Sequence, residues 1–407
     1  MARTKRVVVT GIGAVSAAGV GAERLWSAAR DGKPCINQPT FPYEYRGRIK
    51  IAAQVQDFVG SDYLDRQTLA FCDPVSQYLL VAADEAMAQA GFSREDRLGT
   101  KATTIIGTGI GGMTTIEEGI HLALVKGGRP HALMVPKLIP SACPAVLAIR
   151  YGLQGPSFAV ASACSSATQA IGIGMQMIRA GMADVAVTGG TEDCITNNSM
   201  FAWEALRVMT PDFCRPFSKG RNGMVLGAGA GCVVLESEEH ARARGARPLA
   251  EVAGYGTSTD AKDFVAPDAE GAARAMQLAL DDAGVTTRDI DYVNAHGTAT
   301  IVNDSTESAA LKIIFGERSA HVPISSTKPI HGHALGAAGA LEFVVTMHAM
   351  RDQIAPPTIN YLEPDEKCPV DAIPNEARPL RIRTAMSNSF AFGGINAVLV
   401  IKGIEAA

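Results

Sequence analysis

Phe158-Ala-Val-Ala-Ser-Ala-Cys-Ser-Ser-Ala-Thr-Gln-Ala-Ile-Gly-Ile-Gly-Met-Gln-Met-Ile-Arg-Ala-Gly-Met-Ala-Asp-Val-Ala-Val-Thr188 is the stretch whose reading decides the fold. An apolar run at 158–160 reads as a strand. A glycine- and alanine-rich apolar stretch over 165–180 reads as a helix, and Val185-Ala-Val-Thr188 as a second strand. The same alternation runs along the chain. Strands are expected over 7–10, 103–107, 158–160, 185–188, 232–235, 250–255, 292–295, 323–325, 383–387 and 397–401. Helices are expected over 74–90, 115–125, 165–180, 238–244, 271–283, 306–315 and 336–350. Such alternation predicts an α/β fold with a largely buried sheet. A seam near 247–250, where an Arg- and Ala-rich helix gives way to a strand, divides the chain into halves 1–249 and 250–407.

Composition agrees with a large soluble core. The chain has 407 residues, 47% hydrophobic and 19% charged, with a net charge of −4. That balance supplies no basic stripe for nucleic acid. No apolar run approaches the ~20 residues of a membrane span. The basic residues 1–6 are too short for a signal peptide, so a cytoplasmic protein is expected. Eight cysteines are spread without CxxC spacing, so reduced, mostly buried thiols are the default.

Glycine loops invite a cofactor reading. Gly107-Thr-Gly-Ile-Gly-Gly112 follows a strand and fits G-x-G-x-x-G, but Glu117 and Glu118 come too early for a ribose acid. A tight strand-to-helix turn is the expected reading. Gly11-Ile-Gly13 reads as another strand-end turn, and Gly227-Ala-Gly-Ala-Gly231 as close backbone packing.

Three segments carry chemistry. Ala161-Ser-Ala-Cys-Ser-Ser-Ala167 places Cys164 at a helix start, where unpaired N–H groups and the helix dipole favour a thiolate and an oxyanion. A packed small residue is the bland alternative. Asn294-Ala-His-Gly-Thr-Ala-Thr300 and the loop 325–339 bring His296, His331 and His333 into strand-end loops, where catalytic groups collect. A His-x-His metal pair is disfavoured, because no acid or Cys cluster completes it. One thiolate with two neutral imidazoles suits a specific chemistry. The thiolate accepts an acyl group, and the imidazoles stabilise the enolate left when a malonyl thioester loses carbon dioxide. A Cys-His hydrolase leaves one histidine idle.

The chain resembles the β-ketoacyl-[acyl-carrier-protein] synthase family, within the thiolase-like superfamily. The resemblance runs nearly end to end. It rests on Val8-Val-Thr-Gly-Ile-Gly13, Ser162-Ala-Cys-Ser-Ser166, Gly189-Gly190, Arg215-Pro-Phe217, Val225-Leu-Gly227, His296-Gly-Thr-Ala-Thr300, Ser326-Thr-Lys328, Gly332-His333, Leu335-Gly-Ala-Ala-Gly-Ala340 and Asn388-Ser-Phe-Ala-Phe-Gly-Gly-Ile-Asn396. It implies a thiolase-like fold of two similar α/β halves in five layers, αβαβα, and a dimer, either a homodimer or a heterodimer with a related chain. The implied reaction is a decarboxylative Claisen condensation of a Cys-bound acyl group with malonyl-ACP. No cofactor or metal is implied, since substrates ride on the phosphopantetheine arm of acyl carrier protein. Cys164 then matches the acylated nucleophile, and His296 and His333 the decarboxylation pair. Lys328 and Glu342 match a charge network, Phe392 a gate and oxyanion-hole residue, and Thr298 and Thr300 the arm-binding hydroxyls. Ile110, Trp203 and Met224 are expected to line the acyl pocket with Phe392. Arg66 and Arg207 fall at carrier-docking positions.

Departures from the family pattern gather near the gate. Asn222, Met224, Ala228, Ala391 and Ile395 stand where relatives carry other residues, and Leu69-Ala-Phe-Cys72 is apolar where many have a basic cluster. His331, where many relatives have Thr, together with Asn303-Asp304, resembles the specialised nodulation-type, aryl-polyene and reducing polyketide branches. The competing readings are a non-catalytic chain-length-factor-like partner, a non-decarboxylating thiolase and a nucleotide-dependent dehydrogenase.

Overall fold

A computed structural model describes residues 5–404. The ten expected strands are all present, and most run longer than their apolar cores suggest. They are β1 Val7–Ser16, β2 Ala102–Gly107, β3 Ser157–Val160, β4 Val185–Glu192, β5 Gly229–Ser237, β6 Ala250–Thr259, β7 Tyr292–Asn294, β8 Ile324–Ser325, β9 Thr384–Ala391 and β10 Ile395–Gly403. The order across the sheet is β3-β2-β4-β5-β1-β6-β10-β9-β7-β8. β2 is parallel to β3 and β4, whereas β4–β5 and β5–β1 are antiparallel. On the other side β7 is parallel to β8 and β9, whereas β9–β10 and β10–β6 are antiparallel. Each half thus repeats one plan: third strand, second, fourth, fifth, first. The halves join through only two register pairs, Val8↔Glu251 and Val9↔Ala250.

The seven helices that build the layers are α1 Pro74–Ala90, α2 Ala142–Tyr151, α3 Ser166–Arg179, α4 Asn197–Ala205, α5 Ala269–Ala283, α6 Ile301–Phe315 and α7 Ala338–Asp352. α3 and α7 touch each other and strands of both halves, so they form the middle layer. Every residue of Ala338–Met350 in α7 is buried, as a helix enclosed on all sides requires. α1 and α2 cover one outer face, and α5 with α6 covers the other. Five layers result, αβαβα, the architecture of the thiolase-like fold.

Glycine marks the tightest helix–strand contacts, and it does so twice. A Cβ on Gly11 would lie 1.9 Å from the Ala86 carbonyl oxygen, and one on Gly13 2.0 Å from that of Ala82, both in α1. The counterparts in the second half are Gly254 and Gly256 in β6, against Ala279 and Ala275 of α5. The reading of Gly11-Ile-Gly13 as a strand-end turn is therefore corrected. These residues lie inside β1, and they lack side chains so that α1 can rest on the strand. Gly11→Ala is expected to cost about 1–3 kcal/mol, because the helix must lift. Thermal unfolding measures this, and an unchanged Tm would contradict the contact.

Candidate active site

Four loops leaving the C-terminal ends of β3, β7, β8 and β9 carry the candidate groups. Cys164 follows β3, His296 follows β7, His333 follows β8 and Phe392 follows β9. Such strand ends are the usual seat of α/β sites. β3 and β8 are the third strands of their halves. The helical turns after them, Ala163–Ser165 and Leu335–Ala337, touch each other, which brings Cys164 to His333.

Cys164 sits on a strained turn. Ala163 has φ 49°, and strain of this kind costs about 1–3 kcal/mol. Hydroxyls hold the turn. Ser166 Oγ accepts from Ser162 N–H at 2.9 Å and donates to the Ala163 carbonyl at 2.7 Å, and Ser165 Oγ donates to the Ser162 carbonyl at 2.8 Å. The chain then winds directly into α3.

Cys164 Sγ and His333 Nε2 are 3.0 Å apart. Ligand atoms of Cys164, His296 and His333 all lie within 4.8 Å of one another, and all three residues are buried. The imidazoles meet edge to face at 5.4 Å between centroids. This convergence is also a geometry that a thiophilic cation could use, because folding brings a distant cysteine to the two histidines.

The network behind the histidines assigns their roles. Lys328 Nζ donates to the His296 carbonyl at 2.5 Å, lies 3.4 Å from His296 Nδ1 and pairs with Glu342. An ammonium facing Nδ1 leaves the proton of a neutral imidazole on Nε2. Burial, the Lys328 charge and a neighbouring imidazole, His333 for His296 and His331 for His333, hold both catalytic histidines well below the ordinary value of 6.5. They are neutral N–H donors at physiological pH. Burial lifts Glu342 to about 7 against the pull of Lys328. It also pushes the Cys164 thiol up to about 12, opposed by Lys328. Burial thus works against the helix start, which favours the thiolate as the sulfur attacks.

Two acids on α6, three residues apart on one face, were not singled out as site residues from the sequence. Glu307 accepts from the backbone N–H of His296 (2.9 Å) and Gly297 (2.8 Å) and from Asn388 Nδ2 (3.1 Å). Asp304 accepts from Phe217 N–H (2.8 Å) and Ala299 N–H (3.2 Å). Buried Arg221 donates to the Thr300 and Ile301 carbonyls and pairs with Asp365. Together these groups fix the loop from His296 to Thr300. The available signal was the pair of acids just after His296-Gly-Thr-Ala-Thr300.

A cavity of about 410 Å³ opens onto the thiol. Thr298, Thr300, Trp203, Met224, Phe392 and Arg207 line it with Cys164 and both histidines. Thr298 Oγ1 and Thr300 Oγ1 are 3.0 Å apart, and the Trp203 and Phe392 rings stack with centroids 6.1 Å apart. Asn222 and Ala391 also line the cavity, whereas Ala228 lies in the core and does not. Ile110, expected in the lining, falls outside it, and Arg66, expected at a carrier-docking surface, lies away from the cavity. Ile110 sits on the turn after β2, and Arg66 is exposed on the helix Arg66–Phe71. His331 turns away from the thiol, with Nε2 2.9 Å from Thr327 Oγ1.

The Gly107–Gly112 turn leaves little for a nucleotide phosphate. The Glu192 carboxylate accepts from the N–H groups of Gly109 (2.6 Å), Ile110 (3.3 Å) and Gly336 (3.0 Å). An internal acid occupies the donors that a phosphate would need.

Known proteins match this arrangement across the chain. Residues 4–241 match the beta-ketoacyl synthase N-terminal domain, and 249–362 match the C-terminal domain. Nodulation protein E of Rhizobium sp. (strain N33) is 44% identical over 98% of this chain and 100% of its own. The 3-oxoacyl-[acyl-carrier-protein] synthase 2 of Staphylococcus aureus (strain N315) is 41% identical over the full length of both. Among solved structures, the ishigamide ketosynthase/chain length factor superposes with TM-score 0.94 at 35% identity, covering 99% of this chain and 100% of that one. A type II polyketide ketosynthase in complex with its acyl-carrier protein superposes with TM-score 0.91 at 32% identity, with the same coverage.

Proposed function

The chain belongs to the β-ketoacyl synthase family, and from that premise we propose how its residues divide one condensation between them. The reaction is β-ketoacyl-[acyl-carrier-protein] synthesis, an acyl transfer of fatty-acid or type II polyketide biosynthesis. The observation that carries the division of roles is the convergence of one thiol and two neutral imidazoles within 4.8 Å.

In the first half-reaction Cys164 Sγ attacks an acyl thioester. The thiol proton passes, within reach of His333 Nε2, to the departing pantetheine sulfur, and an S-acyl cysteine remains. In the second, Nε2–H of His296 and of His333 donates to the thioester carbonyl of a malonyl group on a carrier arm. The malonyl C–C bond breaks, carbon dioxide leaves, and the electron pair forms an enolate held by the two donors. The enolate carbon attacks the acyl carbonyl. The new C–C bond forms as the C–S bond to Cys164 breaks, and the released thiolate takes up a proton. Cys164 and Phe392 backbone N–H groups would hold the oxyanion, while Lys328 and Glu342 keep His296 in its donor tautomer. Thr298 and Thr300 would bind the pantetheine arm. The chain-length-factor-like reading is disfavoured, since it leaves all three converging groups without a use.

The acyl carrier protein is the proposed partner, as in the solved complex of a relative. Exposed Leu124, Val125, Val135 and Ile149, with β3 at the sheet edge, support a dimer. The duplicated plan supports the division into 1–249 and 250–407. Among the described residues no helix is long and apolar enough to cross a membrane, and a cytoplasmic location is proposed.

The test is an assay with acyl-ACP and malonyl-ACP. A β-ketoacyl-ACP product with one carbon dioxide per condensation is expected. Because both imidazoles stay neutral well below 6.5, neither ring should titrate in NMR spectra as pH falls from about 8 to about 6, a range in which Glu342, lifted to about 7, can itself shape the rate. A titration of either ring centred near the ordinary histidine value would contradict the assignment, and no condensation with any acyl-ACP would overturn the function.

A further inference from the structure

The cavity leads from Cys164 to a mouth whose rim is unusually apolar. Val265, Ile301 and Val302 line the cavity, yet they expose 55%, 58% and 55% of their surface. Phe264, beside Val265, exposes 78%. The rim loop is firmly held. The Phe264 carbonyl accepts from Gly393 N–H at 2.7 Å, and Asp260 accepts from Asn396 Nδ2 (2.6 Å) and Asp268 N–H (2.9 Å). Charge at the mouth nearly cancels. Arg207 and Asp263 both line it, and nearby Lys262 is paired with Asp268 and Glu270.

We propose that the carrier protein docks on this rim through apolar contact with Phe264, Val265, Ile301 and Val302, with charge contributing little. The proposal rests on the synthase reading above. Whatever delivers a thioester arm down this cavity must seat its body on the mouth, so the occupant follows from the tunnel. Fixed apolar groups that protrude into water lose little freedom when a partner covers them, which suits a contact made and broken at each half-reaction. A docking step led by charge would instead need an uncompensated basic field, and its rate would fall steeply with salt.

The test compares the unaltered protein with a Phe264→Ser variant, outside the cavity lining, on two sets of substrates: acyl- and malonyl-ACP, and the same acyl groups on free pantetheine. KM for the carrier-borne substrates should rise about tenfold or more. Turnover of the pantetheine thioesters should stay within about twofold, and kcat/KM of the unaltered protein on carriers should change only a few-fold between about 50 and about 300 mM salt. Phe264→Leu, which keeps an apolar group on the exposed rim, guards against a folding defect and should give a smaller KM rise. An unchanged carrier KM, an equal loss on pantetheine substrates, a steep salt dependence or an altered oligomeric mass would overturn the proposal. No turnover of either substrate set by the unaltered protein would overturn the synthase reading, and this proposal with it.

Discussion

Cys164→Ala is expected to abolish condensation, by about a thousandfold or more, while malonyl-ACP is still decarboxylated. Among the described residues Cys164 is the one thiol lining the cavity, so no acyl-enzyme is expected without it. The enolate-stabilising donors are untouched, because His296 takes its tautomer from Lys328 on the side away from the sulfur. Alanine also removes the group 3.0 Å from His333 Nε2, leaving that N–H free for the malonyl carbonyl. Carbon dioxide release and β-ketoacyl product should therefore separate. If both fell together, the two half-reactions would not have the separate groups assigned here.

His296→Ala is expected to produce the opposite split. Removing one preorganised donor to a developing oxyanion costs about 10²–10³ in rate, so decarboxylation and condensation should both fall by that factor. Acylation of Cys164 should persist, since His333 and not His296 contacts the sulfur. Lys328 and Glu342 would remain paired, with the alanine carbonyl still accepting from Lys328, so the fold should hold. Single-turnover acyl transfer and malonyl decarboxylation, measured side by side, separate these steps. A His296→Ala protein that decarboxylates at the original rate would place the electrophilic donor elsewhere.

Much of the fold could be read from the chain, because buried strands announce themselves as short β-branched runs such as Val7-Val8-Val9 and Val185-Ala-Val187. Their ends could not. β1 continues through Gly11 and Gly13, and β9 through Ser389 and Ala391, where small residues weaken the strand signal but the ladder with a neighbour persists. Helices α2 and α4 are also not legible in the chain. α4 starts not on a strong apolar pattern but on capping by Thr196 Oγ1 and by the Glu117 carboxylate, which accepts from Asn197 and Asn198 N–H. No window of sequence contains both partners.

The site divides in the same way. Cys164, His296 and His333 stood out because each lies in a Gly- or Ser-flanked strand-end loop. Glu192 and Arg221 did not, because they act on backbone groups 144 and 79 residues away, and Glu307 did not, because it reaches back from a helix face to the His296 loop. The balance that sets the protonation of Cys164 is not legible in the chain either. A helix start favours a thiolate, but burial opposes it, and burial is known only once the layers close over the sulfur.

The central claim is that Cys164 is the acyl acceptor of a decarboxylating synthase. Its most direct test is intact-protein mass spectrometry after incubation with acyl-ACP, followed by peptide mapping and a chase with malonyl-ACP. One acyl group per chain is expected, carried on the peptide containing Cys164 and lost on the chase with release of β-ketoacyl-ACP. An acyl group mapped to another residue, or one that malonyl-ACP fails to discharge, would contradict it.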